Sequence, residues 1–288
     1  MKNILITGSN GQLGTAFNDA VSLLSSNNNY IFTDYDKFDI CGSEEEITKF
    51  LTENKIDIIV NCAAYTNVNV AQIEKEKCRL LNQEAPVKLA TICKKLNIYF
   101  IHISTDYVFD GKGYKPLTEV DNTNPINHYG YTKRMGEIGI ISSYCRYMIF
   151  RTSWLYYNGF ATNFPSKIYH NTTIANVVFD QIGTPTYARD LANAILDIIE
   201  NNKFENEQGW KNDGIYHYSN EGVCSWYDFA KEINPKIKIN PIITPTDLDV
   251  KRPYFSVLDK SKYKKVFNKE IPYWKDSLKK YLKEEDVV

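Results

Sequence analysis

Tyr129 and Lys133 stand four residues apart in the run His128-Tyr129-Gly130-Tyr131-Thr132-Lys133. On a helix that spacing puts a phenol and an ammonium on one face. Such a pair can protonate a developing alkoxide. A phenol, with its ordinary pKa of about 10, is a slow acid near neutrality, and a neighbouring ammonium stabilises the phenolate. In a chain with 21 tyrosines the spacing also arises by chance, so it gains meaning only from what accompanies it. Its companion is the opening run Asn3-Ile4-Leu5-Ile6-Thr7-Gly8-Ser9-Asn10-Gly11-Gln12-Leu13-Gly14, an apolar strand entering glycines spaced three apart.

Gly8, Gly11 and Gly14 permit a tight turn and close backbone approach to a pyrophosphate. Asn10, Gln12 and Leu13 surround that approach, where the first turn of the following helix offers free N–H groups. Asp34 lies about 20 residues past the glycines, where a carboxylate accepts the adenosine ribose hydroxyls and repels a 2′-phosphate. NADH is therefore favoured over NADPH, with Lys37 placed to soften the preference. Asp39 and Ile40 would lie under the adenine, and Ala63, Ala64 and Tyr65 would line the ribose and pyrophosphate. Asp34 and Asp39 also fit ordinary turn chemistry. Glycine loop and Tyr129–Lys133 pair together point to a nicotinamide-dependent reductase.

These residues need a sheet that brings them to one edge. The first half alternates short apolar runs with helical patterns, which predicts βαβ units and a parallel sheet. Strands are expected at 3–7, 30–33, 57–61, 99–104 and 148–151. Helices are expected from near Gln12, from near Ser43 with Glu44-Glu45-Glu46 in the first turn, from near Glu84, and over 129–141. The fold class is α/β, a Rossmann-type doubly wound parallel sheet with a smaller C-terminal α/β substrate region, its ligand crevice at the carboxyl ends of the strands. Residues 1–155 form the expected nicotinamide-binding domain. Residues 156–288 form the expected sugar-nucleotide region, with about 180–201 returning to the first domain. Helical patterns at 190–200 and 226–233 belong there. The Lys-rich end from Lys279 to Glu285 reads as a solvated helix face.

At 288 residues the chain can bury a sizeable core, so a monomeric enzyme is physically possible. Lys and Arg (34) balance Asp and Glu (35), leaving a formal net charge of -1 and no electrostatic footprint for nucleic acid or anionic lipid. No long apolar run and no signal-peptide pattern is visible, so a cytoplasmic protein with a small-molecule partner is expected. Cys41, Cys62, Cys78, Cys93, Cys145 and Cys224 contain no C-x-x-C pair and do not cluster with His102, His128, His170 or His217, which argues against zinc and disulfides.

Further along, Ser104-Thr105-Asp106-Tyr107-Val108-Phe109-Asp110-Gly111 precedes the Tyr129 run. Asn61-Cys62-Ala63-Ala64-Tyr65-Thr66, Arg151-Thr152-Ser153-Trp154-Leu155-Tyr156, Asp180-Gln181-Ile182-Gly183-Thr184-Pro185-Thr186, Asp190-Leu191-Ala192 and Arg252-Pro253 complete a set spanning most of the chain. With these runs the sequence resembles the extended short-chain dehydrogenase/reductases of the nucleotide-sugar branch, and among them the dTDP-4-dehydrorhamnose reductase family. The resemblance implies reduction of the C4 ketone of dTDP-4-dehydro-L-rhamnose, the last step of dTDP-L-rhamnose synthesis for polysaccharides, with NADH or NADPH. It makes Tyr129 the general acid, Lys133 its activator and ribose ligand, and Thr105 a donor to the reacting oxygen. Asp106, Trp154 and Arg252 become contacts to the dTDP-sugar.

Two departures from the family pattern stand out. Where members commonly carry Val-Asp-x-Ala-Glu, this chain has Val68-Asn69-Val70-Ala71-Gln72, which removes two charges. Where some members link a dimer through magnesium and glutamates, it has Thr15-Ala16 and Arg189, so no metal is expected and the chain is expected to be a monomer or homodimer. Two alternatives stay open: reduction of a different 4-keto nucleotide sugar, and a non-catalytic, cofactor-binding regulatory subunit.

Overall fold

Strand alternation decides what each face of the central sheet buries. β1 (Asn3–Thr7) sends Ile4 and Ile6 to one side and Leu5 to the other. The same division recurs in β3 (Ile58–Asn61), β4 (Tyr99–Thr105) and β5 (Tyr147–Thr152), where Val60, Ile101 and Phe150 oppose Ile59, Phe100 and Ile149. Both faces are covered, so these strands read as nearly continuous apolar runs. The structure, a computed structural model, describes residues 1–209, 211–246 and 250–285.

β2 (Asn29–Thr33) pairs with β1, and every pairing in the sheet is parallel. The order is Gly214–His217, β5, β4, β3, β1, β2. Direction of winding reverses between β1 and β3, which opens a crevice outside their carboxyl ends. α1 (Gln12–Ser22), α2 (Glu44–Glu53), α4 (Ala85–Leu96) and α5 (His128–Ser142) form the crossovers. Ser43 caps α2 in a full capping box with Glu46, matching the acidic first turn read from the sequence.

The sixth strand, Gly214–His217, was not foreseen; it returns from the C-terminal half to pair with β5. Helix Ala188–Glu200 packs on α1, and three two-stranded pairings bind the rest of that half together. Helix Trp226–Ile233 has the bounds its pattern gives. The Lys-rich end departs from expectation: Lys279, Lys280 and Lys283 are exposed, but Leu278 and Tyr281 are fully buried. The Tyr281 ring packs edge-on against Tyr156 at 5.2 Å, so this helix is amphipathic rather than wholly solvated. Among the described residues no helix is long and apolar enough to cross a membrane.

α5 is tied to the sheet by charge. Glu137 and Arg151, 0% and 1% exposed, form a two-pronged pair at 2.9 and 2.8 Å between α5 and β5. Ser104 of β4 donates to the same carboxylate at 2.6 Å and Arg134 adds a contact at 2.9 Å. His217 of the sixth strand faces Arg151 Nη1 at 3.3 Å. Removing one member of a buried pair leaves the other uncompensated. Arg151→Met should therefore lower unfolding free energy by roughly 3–5 kcal/mol, read from urea denaturation; a loss below about 1 kcal/mol, the size of a surface pair, would contradict a structural role for this cluster.

Candidate active site

The glycine loop follows β1 directly. Gly8 takes φ +64°, and a Cβ there would stand 2.7 Å from the backbone of Ala63. A Cβ on Gly14 would stand 2.3 Å from the Gly8 carbonyl. α1 begins behind Gly11 with no side-chain cap, so its first N–H groups have no capping side chain to satisfy them. A tight backbone cradle closed to side chains, with donors and helix-dipole positive charge behind it, fits a dinucleotide pyrophosphate. Asp34, just past β2, accepts the Asn10 N–H at 3.0 Å and the Tyr35 N–H at 2.8 Å. Its carboxylate thus shapes the loop and also faces the crevice.

The crevice is a cavity of about 830 Å³, within the usual range for ligand sites. Gly8, Gly11, Gln12, Leu13, Gly14 and Asp34 line one end, continued by Asp39, Ile40, Ala63 and Ala64. Thr105, Asp106, Tyr129, Lys133 and Trp154 line the other. Three expected residues lie off the wall. Asn10 acts through its backbone, as above. Tyr65 gives its hydroxyl to Glu74 at 2.9 Å, and Arg252 donates to Asn69 at 3.1 Å.

Arg252 therefore pairs with one of the two amides that replace the family's acids. The other, Gln72, accepts the His128 N–H at 2.9 Å at the start of α5. Asn127 caps the same helix through Gly130 N at 2.8 Å. Both amides keep hydrogen-bonding roles without charge.

Beneath Lys133 runs a polar row that the sequence did not disclose. Thr7, Asn61 and His102 are register partners on β1, β3 and β4. Thr7 donates to Asn61 Oδ1 at 2.6 Å, Asn61 Nδ2 meets His102 Nδ1 at 3.1 Å, and His102 Nε2 meets Lys133 Nζ at 3.2 Å. Lys133 also donates to the Ile103 carbonyl at 2.6 Å. A polar residue inside the apolar run Tyr99-Phe100-Ile101-His102-Ile103 was the available signal, since burial requires a partner. Asn82, in a π-helical segment between α3 (Lys75–Arg79) and α4, was equally hidden. It holds both backbone groups of Tyr65, at 2.8 and 2.9 Å, and so fixes the segment after β3.

Electrostatics modify the expected division of labour. Burial lowers Lys133 to about 8, against weaker upward pulls from Glu137, Cys78 and Cys62. Burial holds the Tyr129 phenol above its usual value, countered by the Thr105 hydroxyl. The Lys133 amine is turned to the Ile103 carbonyl and to His102. Tyr129 is accordingly a fully loaded proton donor. Burial raises Asp106 to about 6, with hydrogen bonds from Ser256 and Thr105 pulling it down. Cys62 lines the cavity, but burial pushes its thiol up and keeps it protonated.

Trp154 sits at φ +47°, a left-handed conformation that costs a non-glycine residue roughly 1–3 kcal/mol. Trp226, also on the cavity wall, stacks on it with ring centroids 3.8 Å apart. The sequence placed Trp226 on a helix but not at the site.

The family model described as "RmlD substrate binding domain" matches residues 1–287. The dTDP-4-dehydrorhamnose reductase of Escherichia coli (strain K12) is 33% identical, covering 98% of this chain and 97% of that protein. A crystal structure of a dTDP-4-dehydrorhamnose reductase from Clostridium acetobutylicum is 36% identical with a TM-score of 0.89, covering 99% of both chains. Another from Bacillus anthracis, in complex with NADP, is 30% identical with a TM-score of 0.88 over 99% of both.

His102 and His217 are both held neutral, the first well below the ordinary 6.5 by burial, the second to about 3 by burial and Arg151. The unfolded chain therefore binds more protons than the folded one below pH 6.5, and stability falls as pH drops from there towards 3. Between about pH 7.5 and about pH 5, His217 should account for a loss of roughly 2 kcal/mol. Urea midpoints at the two pH values check this: His217→Gln should show a shallower decline, and an equal decline would remove His217 as a cause.

Proposed function

The chain belongs to the RmlD substrate binding domain family, and on that premise we propose that it reduces the C4 ketone of dTDP-4-dehydro-L-rhamnose to dTDP-L-rhamnose, using NAD(P)H. The observation that carries the proposal is the shared cavity, with a glycine cradle at one end and Thr105, Tyr129 and Lys133 at the other. Reduced nicotinamide, when bound, supplies a hydride to the ketone carbon.

The chain's own residues supply the rest. Backbone N–H groups around Gly8, Gly11 and Gly14 hold the pyrophosphate, and the Asp34 carboxylate faces the ribose hydroxyls. Tyr129 donates its phenolic proton to the sugar oxygen as charge develops there, and the Thr105 hydroxyl donates a hydrogen bond to the same oxygen. Lys133 keeps a proton at neutrality and presents it near the ribose end of that pair. Asp106 accepts from a sugar hydroxyl, and Trp154 covers the ring. Arg252, held by Asn69 and bonded to Tyr107 of the cavity wall, serves the nucleotide-sugar. Strand ends that converge on one crevice are the setting in which such sheets bind ligands, which supports these roles over plain turn capping.

Coupling purified dTDP-glucose 4,6-dehydratase and 3,5-epimerase to the chain, and following NADH and NADPH separately, tests the proposal. Cofactor oxidation should require both upstream enzymes, and Tyr129→Phe should lower kcat by about 10²–10⁴-fold. Oxidation with a different 4-keto sugar alone would redirect the substrate. Tight cofactor binding with no reduction of any keto sugar would favour a regulatory subunit. Asp34→Ala should relax discrimination against NADPH, and unchanged selectivity would remove Asp34 from its role. Because Lys133 loses its proton above about 8, kcat should decline as pH rises through that value; a flat profile to about one unit higher would show that its charge is not needed.

A further inference from the structure

Trp154 cannot hold its own position. Its backbone is left-handed at φ +47°, a conformation that persists only where the surroundings over-determine it. Three features do so. The Thr186 N–H donates to the Trp154 carbonyl at 3.2 Å. Ser153 donates through its hydroxyl to the Thr184 carbonyl at 2.7 Å. On the side-chain level the indole packs against Gly183 and Trp226: a Cβ at Gly183 would stand 2.8 Å from the Trp154 ring, and Trp226 lies nearly parallel to it, 15° between planes.

Trp226 is itself firmly placed. It is the first residue of helix Trp226–Ile233, whose cap Ser225 makes a capping box with Asp228 at 3.0 Å. Phe164 meets its ring edge-on at 4.6 Å. Both tryptophans line the cavity that Thr105 and Asp106 also line. Stacked face to face, the two rings cover one another, so Trp226 backs the Trp154 indole, the apolar surface placed to take up the C–H face of a hexose ring.

We propose that Trp226 is a positioning and specificity-determining residue: stacked on Trp154, it keeps that residue in its strained conformation and backs its indole for contact with the sugar half of a nucleotide sugar. The ligand class rests on the reaction proposed above, whereas the stacking does not. This gives the C-terminal half its own means of choosing the sugar, independent of the proton-transferring residues on β4 and α5.

The stack has its own signal, because two indoles in contact couple, and skew between their transition dipoles produces an exciton couplet in far-ultraviolet circular dichroism. The wild type should show it, Trp226→Leu should lose it, and Trp226→Phe should lose it while keeping most of the ring contact. Calorimetry with dTDP-glucose and with dTDP then reads the function. Trp226→Leu should weaken dTDP-glucose binding about tenfold, the scale of one lost aromatic face, while dTDP binding changes much less and Trp226→Phe recovers most of the loss. Gly183→Ala, whose Cβ would press on the Trp154 ring, should act in the same direction. In turnover, KM for the keto sugar should rise more than kcat falls. A couplet that survives in Trp226→Leu, or equal weakening towards dTDP and dTDP-glucose, would overturn the proposal. Failure of the wild type to reduce any keto sugar would count against the reaction instead, and the couplet would still decide the stack.

Discussion

The buried carboxylate of Glu137 is the constraint on which the site depends. α5 carries Tyr129 in its first turn and Lys133 one turn on, and Glu137 follows after another four residues on the same face. Its contacts to Arg151 on β5 and Ser104 on β4 lock the helix to two adjacent strands at once. Apolar burial alone fixes a helix loosely, because it is non-directional. A carboxylate shared between a guanidinium and a hydroxyl permits one rotation and one height. Tyr129 therefore reaches the carboxyl end of β4 beside Thr105 instead of somewhere along the strand.

A second polar row repeats the logic one layer deeper. Thr7, Asn61 and His102 occupy matched positions on three neighbouring strands, so the sheet register that buries Ile6, Val60 and Ile101 also aligns the hydrogen bonds leading to Lys133. Unpartnered, each of these groups would carry a desolvation cost of about 1–3 kcal/mol. Partnered, they make the lysine's position a consequence of strand pairing. Lowered by burial, Lys133 titrates closer to neutrality than an exposed lysine, while the phenol it accompanies stays protonated. The phenol is thus a loaded acid, and the amine beside it carries the more mobile proton.

Much of this was legible because it is local. Strand alternation in β1, the capping box at Ser43, the glycine turn and the bounds of Trp226–Ile233 each follow from residues within a few positions of one another. What escaped was long-range. The strand Gly214–His217 joins β5 across more than sixty residues of chain, and its short run Gly-Ile-Tyr-His offers no alternation that distinguishes it from a loop. Asn69 and Arg252 are read singly in the sequence, as a lost charge and a sugar contact, yet they bond to each other. Trp226 looks like one more apolar helix residue until the fold brings it over Trp154. His102 was the missed opportunity, since a histidine inside a buried strand signals a partner even when the partner cannot be named.

The central claim, that this cavity transfers a hydride to the sugar while Tyr129 protonates the oxygen, is tested most directly by isotope. Purified chain would be given dTDP-4-dehydro-L-rhamnose and nicotinamide cofactor deuterated at the transferring position, and the product examined by NMR. The account predicts dTDP-L-rhamnose carrying deuterium at C4, with no product from Tyr129→Phe on the same timescale. An unlabelled product, label at another carbon, or full product formation without the phenol would contradict it.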